Sequence, residues 1–518
     1  MDFASAASAF AVCGYCRSSV VREGEALRSI GRSAELFDDH TPLQLGVNGS
    51  YQGAAFTLIG RLQFRSAEGT WNEWHALFDG GDSAAGGRKS GWLSEDNGRY
   101  VLAFDAPLTG TVPPAQSLRP GMALKLAGQA WAVASVTLAR LIAAQGELVD
   151  APNSTRAFIV ADLRNSAGEV ATLDYSDDAQ LHWSIGRSVA LDDLALSGLA
   201  EGAEKTLKAR GLECPSCGAS LVVQLATTKS IACPQCHAVV DLSSGVGAAL
   251  QHYAQTHGAE PQIPLGSTGT FTLDGDKALP WQVVGYVERC EVIEVEEDSD
   301  GEQVFWREYL LYHRNRGFAF LVDAEDGWSW TVPITGVPER AGEAVRYRGV
   351  LYRKLYDYTG KVTYVLGEFY WRLEREQRSS NTDYRGTGRF ASRQLSCERT
   401  GQAGAQEIIW SAGEAISSQA VLNAFKLAPD KAQALRRDAM PTSGNAASLL
   451  AKLFFGGLLA VPVLLLFQCD SADDCTGVRS SYGEASNEYR NCLASQRSSS
   501  RTGGGSWGGF SSGGGGHK

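Results

Sequence analysis

Two stretches of this chain carry the same residues in the same order, and a duplicated sequence has to fold twice in the same way. Cys13-Gly-Tyr-Cys16 leads into Leu45-Gly-Val-Asn-Gly-Ser-Tyr51, and Cys233-Pro-Gln-Cys236 leads into Leu265-Gly-Ser-Thr-Gly-Thr-Phe271. Phe56 to Gly60 answers Trp281 to Gly285, Asn72-Glu-Trp74 answers Arg307-Glu-Tyr309, Gly146-Glu-Leu148 answers Gly367-Glu-Phe369, and Trp183-Ser-Ile-Gly186 answers Trp410-Ser-Ala-Gly413. Gly46 and Trp183 are 137 residues apart, Gly266 and Trp410 are 144 apart. Near-equal spans matched at both ends mark a duplicated domain.

Each copy reads as mostly β. Phe56 to Phe64, Trp74 to Phe78, Ala130 to Leu138, Ala157 to Asp162 and Val170 to Tyr175 are aromatic and β-branched runs between turn residues. Trp92 to Phe104 contains Asn97-Gly98, a two-residue hairpin signal. In the second copy Val345 to Tyr356 and Lys361 to Arg372 flank Tyr358-Thr-Gly360, which reads as another hairpin. Asp192 to Arg210 and Ser418 to Leu427 are the best helix candidates, one closing each copy. The expected fold is mainly β (α+β): two tandem β-rich repeats, a four-cysteine zinc ribbon between them and one C-terminal transmembrane helix.

The domain limits follow. A partial ribbon occupies 1–30, the first β-rich repeat 31–210, the complete ribbon 211–245 and the second repeat 246–428. A polar linker covers 429–445, a membrane helix 446–468 and a Ser/Gly-rich tail 469–518. The uninterrupted apolar run from Leu453 to Phe467 contains Pro462, and Lys452 at its start can snorkel to headgroups. Leu453 to Cys469 reaches about 26 Å as a helix. A core helix of the second repeat is the rival reading. Lys431, Arg436, Arg437 and Lys452 precede the span while Asp470, Asp473 and Asp474 follow it, which keeps the large N-terminal part on the cytoplasmic side and exports the tail.

Six of the 11 cysteines fall in three C-x-x-C pairs. Cys214-Pro-Ser-Cys217 and Cys233-Pro-Gln-Cys236 have the spacing of two knuckles that hold one tetrahedral zinc in a closed, structural site. Gly218 lets backbone amides turn toward a sulfur, and His237 reads as a surface residue beside the site. Cys290 and Cys397 are isolated and expected in the core. Cys13 and Cys16 align with the second knuckle alone, as a possible incomplete second metal site. A start codon placed too far downstream, a vestigial pair, and two chains sharing one metal are open explanations; the first is the expected one.

The net charge of -11 argues against a general nucleic-acid binder. Glu288 to Glu302 holds eight acids and reads as the tip of a hairpin, while Arg346 to Arg378 holds eight basic residues among Tyr352, Tyr356, Tyr364, Tyr370 and Trp371. Both read first as solvated surface, the second also as a face for anionic lipid or single-stranded nucleic acid. The recurring aromatics (Trp71, Trp74, Trp92 and Trp183; Trp306, Tyr309, Trp328 and Trp410) read as core. Two carboxylates recur per copy, Glu73 with Glu308 and Glu147 with Glu368, but no histidine or nucleophile recurs with them, so no catalytic residue is assigned.

Leu43-Gln-Leu-Gly46, Tyr51-Gln-Gly53, Phe56-Thr-Leu-Ile-Gly-Arg61, Trp71-Asn-Glu-Trp74 and Gly91-Trp-Leu-Ser94 together resemble the bacterial family called domain of unknown function 4178. Asp383-Tyr384 and Trp410-Ser-Ala-Gly-Glu414 resemble its later half. The likeness covers both repeats and implies no established activity. It implies a setting, since members accompany aminopropyltransferase-like polyamine enzymes and small membrane proteins in membrane-stress operons. The expected function is a membrane-tethered, non-enzymatic adaptor or scaffold with structural zinc, single-pass in the bacterial inner membrane. Its expected partner is a protein, with a polyamine as a further candidate ligand and nucleic acid not expected; the oligomeric state is left open. The alternatives are a subunit of an enzyme of polyamine or lipid-headgroup chemistry using the recurring glutamates, and a nucleic-acid-binding module.

Overall fold

The computed structural model describes residues 10–12, 18–23, 26–32 and most of 41–436. Residues 67–68, 80–88, 97–98, 150–155, 178–180, 201–211, 226–227, 243–249, 257, 273–276, 293–303, 314–315, 326 and 401–406 lie outside that description, as does everything from 437 onward. The expected membrane helix at 446–468, the tail, and Cys13 and Cys16 therefore fall outside it. Among the described residues no helix is long and apolar enough to cross a membrane.

Strands dominate, and their order is the same twice. β1 Phe10–Val12, β2 Ser18–Glu23 and β3 Ala26–Arg32 come first, followed by β4 Asn48–Tyr51, β5 Ala54–Ser66, β6 Gly69–Phe78, β7 Ser90–Asp96 and β8 Arg99–Asp105. The first repeat continues with β9 Ala123–Leu126, β10 Gln129–Leu148, β11 Phe158–Arg164, β12 Glu169–Asp174 and β13 His182–Val189. Between the repeats lie β14 Ser230–Ala232, β15 Val239–Asp241 and β16 His252–Tyr253. The second repeat begins with β17 Thr268–Phe271, β18 Leu279–Glu291, β19 Phe305–His313, β20 Gly317–Ala324 and β21 Gly327–Ile334. It continues through β22 Glu339–Ala341, β23 Ala344–Tyr347, β24 Val350–Phe369, β25 Arg378–Gly386, β26 Arg393–Thr400 and β27 Glu407–Ile416, then α1 Ser418–Ala424.

Each repeat closes on itself. In the first, antiparallel pairing runs β5-β6-β7-β8-β13-β12-β11-β10 and returns from β10 to β5, an eight-stranded barrel. In the second it runs β18-β19-β20-β21-β27-β26-β25-β24 and returns to β18, the same ring. Closure removes the exposed sheet edges that would otherwise invite association. The two barrels touch through a bridge between Ser135 of β10 and Glu407 of β27.

The 20-residue strands β10 and β24 complete both rings, and a pair of glycines explains how. Gly60 lies opposite Gly146, and Gly285 opposite Gly367. Gly146 has φ +74° and Gly367 φ +85°. A Cβ there would stand 2.2 Å from the Ile59 carbonyl oxygen or 2.3 Å from that of Val284. The repeated Gly-Glu motif is thus first a backbone crossing. Gly367→Ala is expected to destabilise the second barrel by about 3 kcal/mol or more, since backbone collision adds to left-handed strain. Gly266→Ala, with φ +82° and no atom within 4 Å of its Cβ, carries the strain alone. Denaturant midpoints of the two variants should differ in that order, and equal midpoints would remove the crossing argument.

Tyr358-Thr-Gly360 is not a hairpin. β24 runs straight through it, and the turn lies earlier, where Tyr347 pairs with Val350. Gly360 is needed because a Cβ would meet the Trp306 ring at 2.9 Å, a packing demand that mimics a turn signal. Asp192 to Arg210 does not form the expected helix in its described part. Leu191–Leu194 is a 3-10 turn, and Ala195 follows with φ +45°. The second copy does end in a helix, α1, capped by the Ser417 hydroxyl accepting the Ala420 amide. Beyond it Pro429–Lys431 and Ala432–Leu435 are also ordered, and the Leu435 carbonyl accepts the Trp328 indole N–H at 2.7 Å. Through Arg436, the polar connector packs on the barrel.

Every residue of β20 is buried, so both faces of the second sheet are covered. Phe318, Phe320 and Val322 share a cluster with Ala232 and Val239 of the interrepeat segment. Ala319 and Leu321 share another with Val421 and Phe425 of the α1 region.

Candidate metal centre

Residues 212–225 and 228–242 form two knuckles and a short hairpin. In each knuckle the residue after the second cysteine is left-handed, Gly218 at φ +76° and His237 at φ +60°. The Gly218 amide then donates to the Cys214 carbonyl at 2.8 Å, and the His237 amide to that of Cys233 at 2.9 Å. The same turn aims backbone N–H groups at sulfur, with Ser216 and Cys217 donating to Cys214 and Ala238 to Cys236. The Ala238 amide, with hydrogen bonds from the neighbouring cysteine side chains, holds the Cys236 thiol down to about 6.

The four sulfurs converge, all within 4.8 Å of one another. Cys214 Sγ to Cys236 Sγ and Cys217 Sγ to Cys233 Sγ are both 3.7 Å. A tetrahedron with metal–sulfur bonds of about 2.3 Å has edges of about 3.8 Å. The cysteines can hold a metal ion. Four protein ligands leave no open position for water.

The cluster is mounted on the second barrel, and the mount is Glu368. Its carboxylate accepts the Gln224 amide at 2.8 Å, the Leu225 amide at 3.0 Å and the Thr228 hydroxyl at 2.6 Å. Burial pushes this carboxyl up, against three donors that favour the ionised form. β14 also pairs with β24, Ile231 opposite Glu368, and the Leu373 amide donates to the Ser230 hydroxyl. Arg372 pairs with Asp241 at 2.8 Å. His237 is not a surface residue: half-buried, its Nδ1 lies 2.6 Å from the Tyr364 hydroxyl.

The other recurring glutamate has a different environment. Glu308 is fully buried and accepts the Trp306 indole N–H at 2.8 Å, with Arg289 Nε at 3.3 Å. Arg289 also reaches Glu398 Oε1 at 3.5 Å. Burial raises the Glu308 carboxyl and lifts Glu398 to about 8, the Arg289 charge opposing both. Sequence reasoning missed Arg289 and Glu398, because at these positions the copies differ. Phe64 stands where Arg289 does and stacks on Trp71 at 5.3 Å, as Arg289 lies opposite Trp306. In the first copy Glu73 and Glu147 are half-buried, and the Glu147 carbonyl oxygen lies 3.0 Å from His75 Nδ1.

Cys13 and Cys16 lie outside the described residues, but the strands around them do not. β1 pairs with β10 so that Ala11 opposes Glu147, as Ile231 opposes Glu368. It also pairs with β2, Val12 opposite Ser19, as Ala232 opposes Val239. Cys290 and Cys397 are buried, each 1% exposed. Of the recurring aromatics, Trp71, Trp74, Trp183, Trp306, Tyr309 and Trp328 are buried, and Trp92 and Trp410 half-buried. Arg346, Arg348, Arg353, Lys354, Arg375 and Arg378 of the basic segment are exposed.

A family model described as a domain of unknown function (DUF4178) matches residues 44–191 and 269–418, one match per barrel. No curated protein and no solved structure matches the chain.

Proposed function

The chain belongs to the domain of unknown function 4178 family through two tandem copies, and on that premise we propose that it is a membrane-tethered, non-enzymatic adaptor built around structural zinc. The observation that carries this reading is the closed cysteine cluster held on the barrel by Glu368. A carboxylate that already accepts two amides and a hydroxyl has most of its lone pairs taken up by the fold. Glu308 is held through one oxygen, Oε1, by Trp306 and Arg289 inside the second barrel. These engagements favour an adaptor over the enzyme-subunit alternative. Thiolate sulfur and four-fold closure suit zinc best among common divalent ions. The tether is the apolar segment 446–468, with the barrels cytoplasmic and the tail exported. The family's company of polyamine enzymes makes a polyamine-linked membrane-stress system the setting in which to seek the protein partner.

The test pairs fractionation with capture. The full chain is expected in the membrane fraction, and residues 1–436 in the soluble fraction with zinc retained. Residues 1–436 should capture a product of a neighbouring gene, and Glu73→Gln and Glu147→Gln should leave both capture and function in cells intact. Lost cellular function with capture intact would replace the adaptor by an enzyme subunit.

A further inference from the structure

Arg289 of β18 bonds to Ser379 of β25 at 3.3 Å and to Glu398 of β26 at 3.5 Å. Around the ring β24 and β25 separate β18 from β26, so these side chains meet only by pointing into the lumen. Register extends the assignment. Glu398 opposes Asn381, Ser396 lies two residues before Glu398, and Gln394 opposes Gly413, which opposes Thr331. Residues opposite one another in a ladder share a face, as do alternate residues along a strand. Glu308, Thr331, Asn381, Gln394, Ser396 and Glu398 therefore line one lumen.

All six are at most 5% exposed. Each keeps an atom with no hydrogen-bond partner: Glu308 Oε2, Thr331 Oγ1, Asn381 Oδ1, Gln394 Oε1, Ser396 Oγ and Glu398 Oε2. Two of these atoms are amide oxygens, which only accept, and two are carboxyl oxygens, which only accept when ionised. The Asn381 amide is fixed in its orientation because Nδ2 donates to the Ser379 carbonyl and hydroxyl. Charge has the same bias, with Glu308 and Glu398 facing Arg289 and Asp383 buried on the same face. The fold does not require this. In the first barrel Phe64, Trp71, Leu141, Phe158 and Val160 form an apolar cluster at the corresponding face, and the polar Ser135 and Thr172 both donate to Asp162. In the first barrel the buried Asp162 carboxylate is met by two hydroxyl donors; the second barrel holds unmet acceptors.

We propose that the lumen of the second barrel binds a small organic cation that carries N–H donors, an alkylammonium or alkylguanidinium. Eight-stranded barrels are of a size to be filled by side chains or to hold one small ligand. Such a cation would donate to the Glu308, Glu398, Asn381 and Gln394 oxygens, and its charge would favour the ionised form of both carboxyls. Tetramethylammonium, which has the charge without the donors, and butanol, which has a donor without the charge, separate the two requirements.

The experiment titrates the full zinc-loaded chain with n-butylammonium and propylguanidinium by calorimetry, with tetramethylammonium and butanol as controls. Saturable binding of at least one N–H cation is expected, weakened about tenfold in Glu398→Gln. Ser396→Ala, which removes one hydroxyl and little volume, should fold and also bind more weakly. Absence of saturable binding by both cations, equal binding of tetramethylammonium, or binding unchanged in both variants would overturn the proposal.

Discussion

Cys233→Ser is expected to take bound zinc from one ion per chain to none and to unfold residues 212–242. Cys233 is fully buried, and its amide donates to the Ala238 carbonyl at 2.9 Å. The module's own core is Leu221, Val223, Ile231, Ala238 and Val240 with Cys214 and Cys233, far too little apolar surface to offset the entropy of ordering such a segment. Metal binding therefore supplies the stability, on the order of 10 kcal/mol for a structural zinc in a piece of this size. Chelation should act as the substitution does. The barrels should remain, since each ring closes through its own strands. Metal analysis and amide hydrogen exchange make the check, with Ile231 and Val240 losing protection and Leu310 and Phe320 keeping it. Retained protection at Ile231 in metal-free protein would show that the ribbon stands without its ion. Cys397→Ser is the control: it lies in the barrel wall and should leave zinc content unchanged.

The duplication was legible because it rests on matched spacing, and spacing survives folding intact. Paired motifs such as Phe56 to Gly60 and Trp281 to Gly285 fall at the same position of each ring, on β5 and β18. The knuckle cysteines were legible for a similar reason, as short-range geometry limits what C-x-x-C can do. Closure into barrels was not, because it depends on β10 reaching β5 and β24 reaching β18, pairings that no local pattern announces.

The misread hairpin has a clear physical source. Gly360 looks in sequence like a turn, and the Gly-Glu repeat shows only that a glycine and a carboxylate recur. In the folded chain both glycines answer to a neighbour from another strand, the Trp306 ring and the Val284 carbonyl. A recurring residue marks a recurring contact and does not say with what. Glu368 finds its partners 140 to 144 residues away, and two of the three are backbone amides, which carry no side-chain signature.

Glu368→Ala should release the ribbon from the barrel while leaving its zinc in place. The substitution removes three hydrogen bonds to a charged acceptor and leaves the Gln224 and Leu225 amides without it in a part-buried site. Each lost bond to a charged group is worth about 1.5–3 kcal/mol, before any relief by water entering the gap. A net cost of about 3 kcal/mol would raise the undocked population roughly 150-fold. Glu368→Gln keeps the shape and one acceptor oxygen, so its effect should be smaller. The cysteines do not contact Glu368, so zinc content should hold at one per chain in both variants, which separates undocking from unfolding. Exchange at Gln224, Leu225 and Lys229 should accelerate, Lys229 because its amide donates to the Phe369 carbonyl on the same strand. Glu147→Ala, at the equivalent place on the first barrel, should leave all three amides untouched. Loss of zinc together with docking would mean that the barrel helps to shape the metal site, and Glu368 would then be a positioning residue for the cysteines.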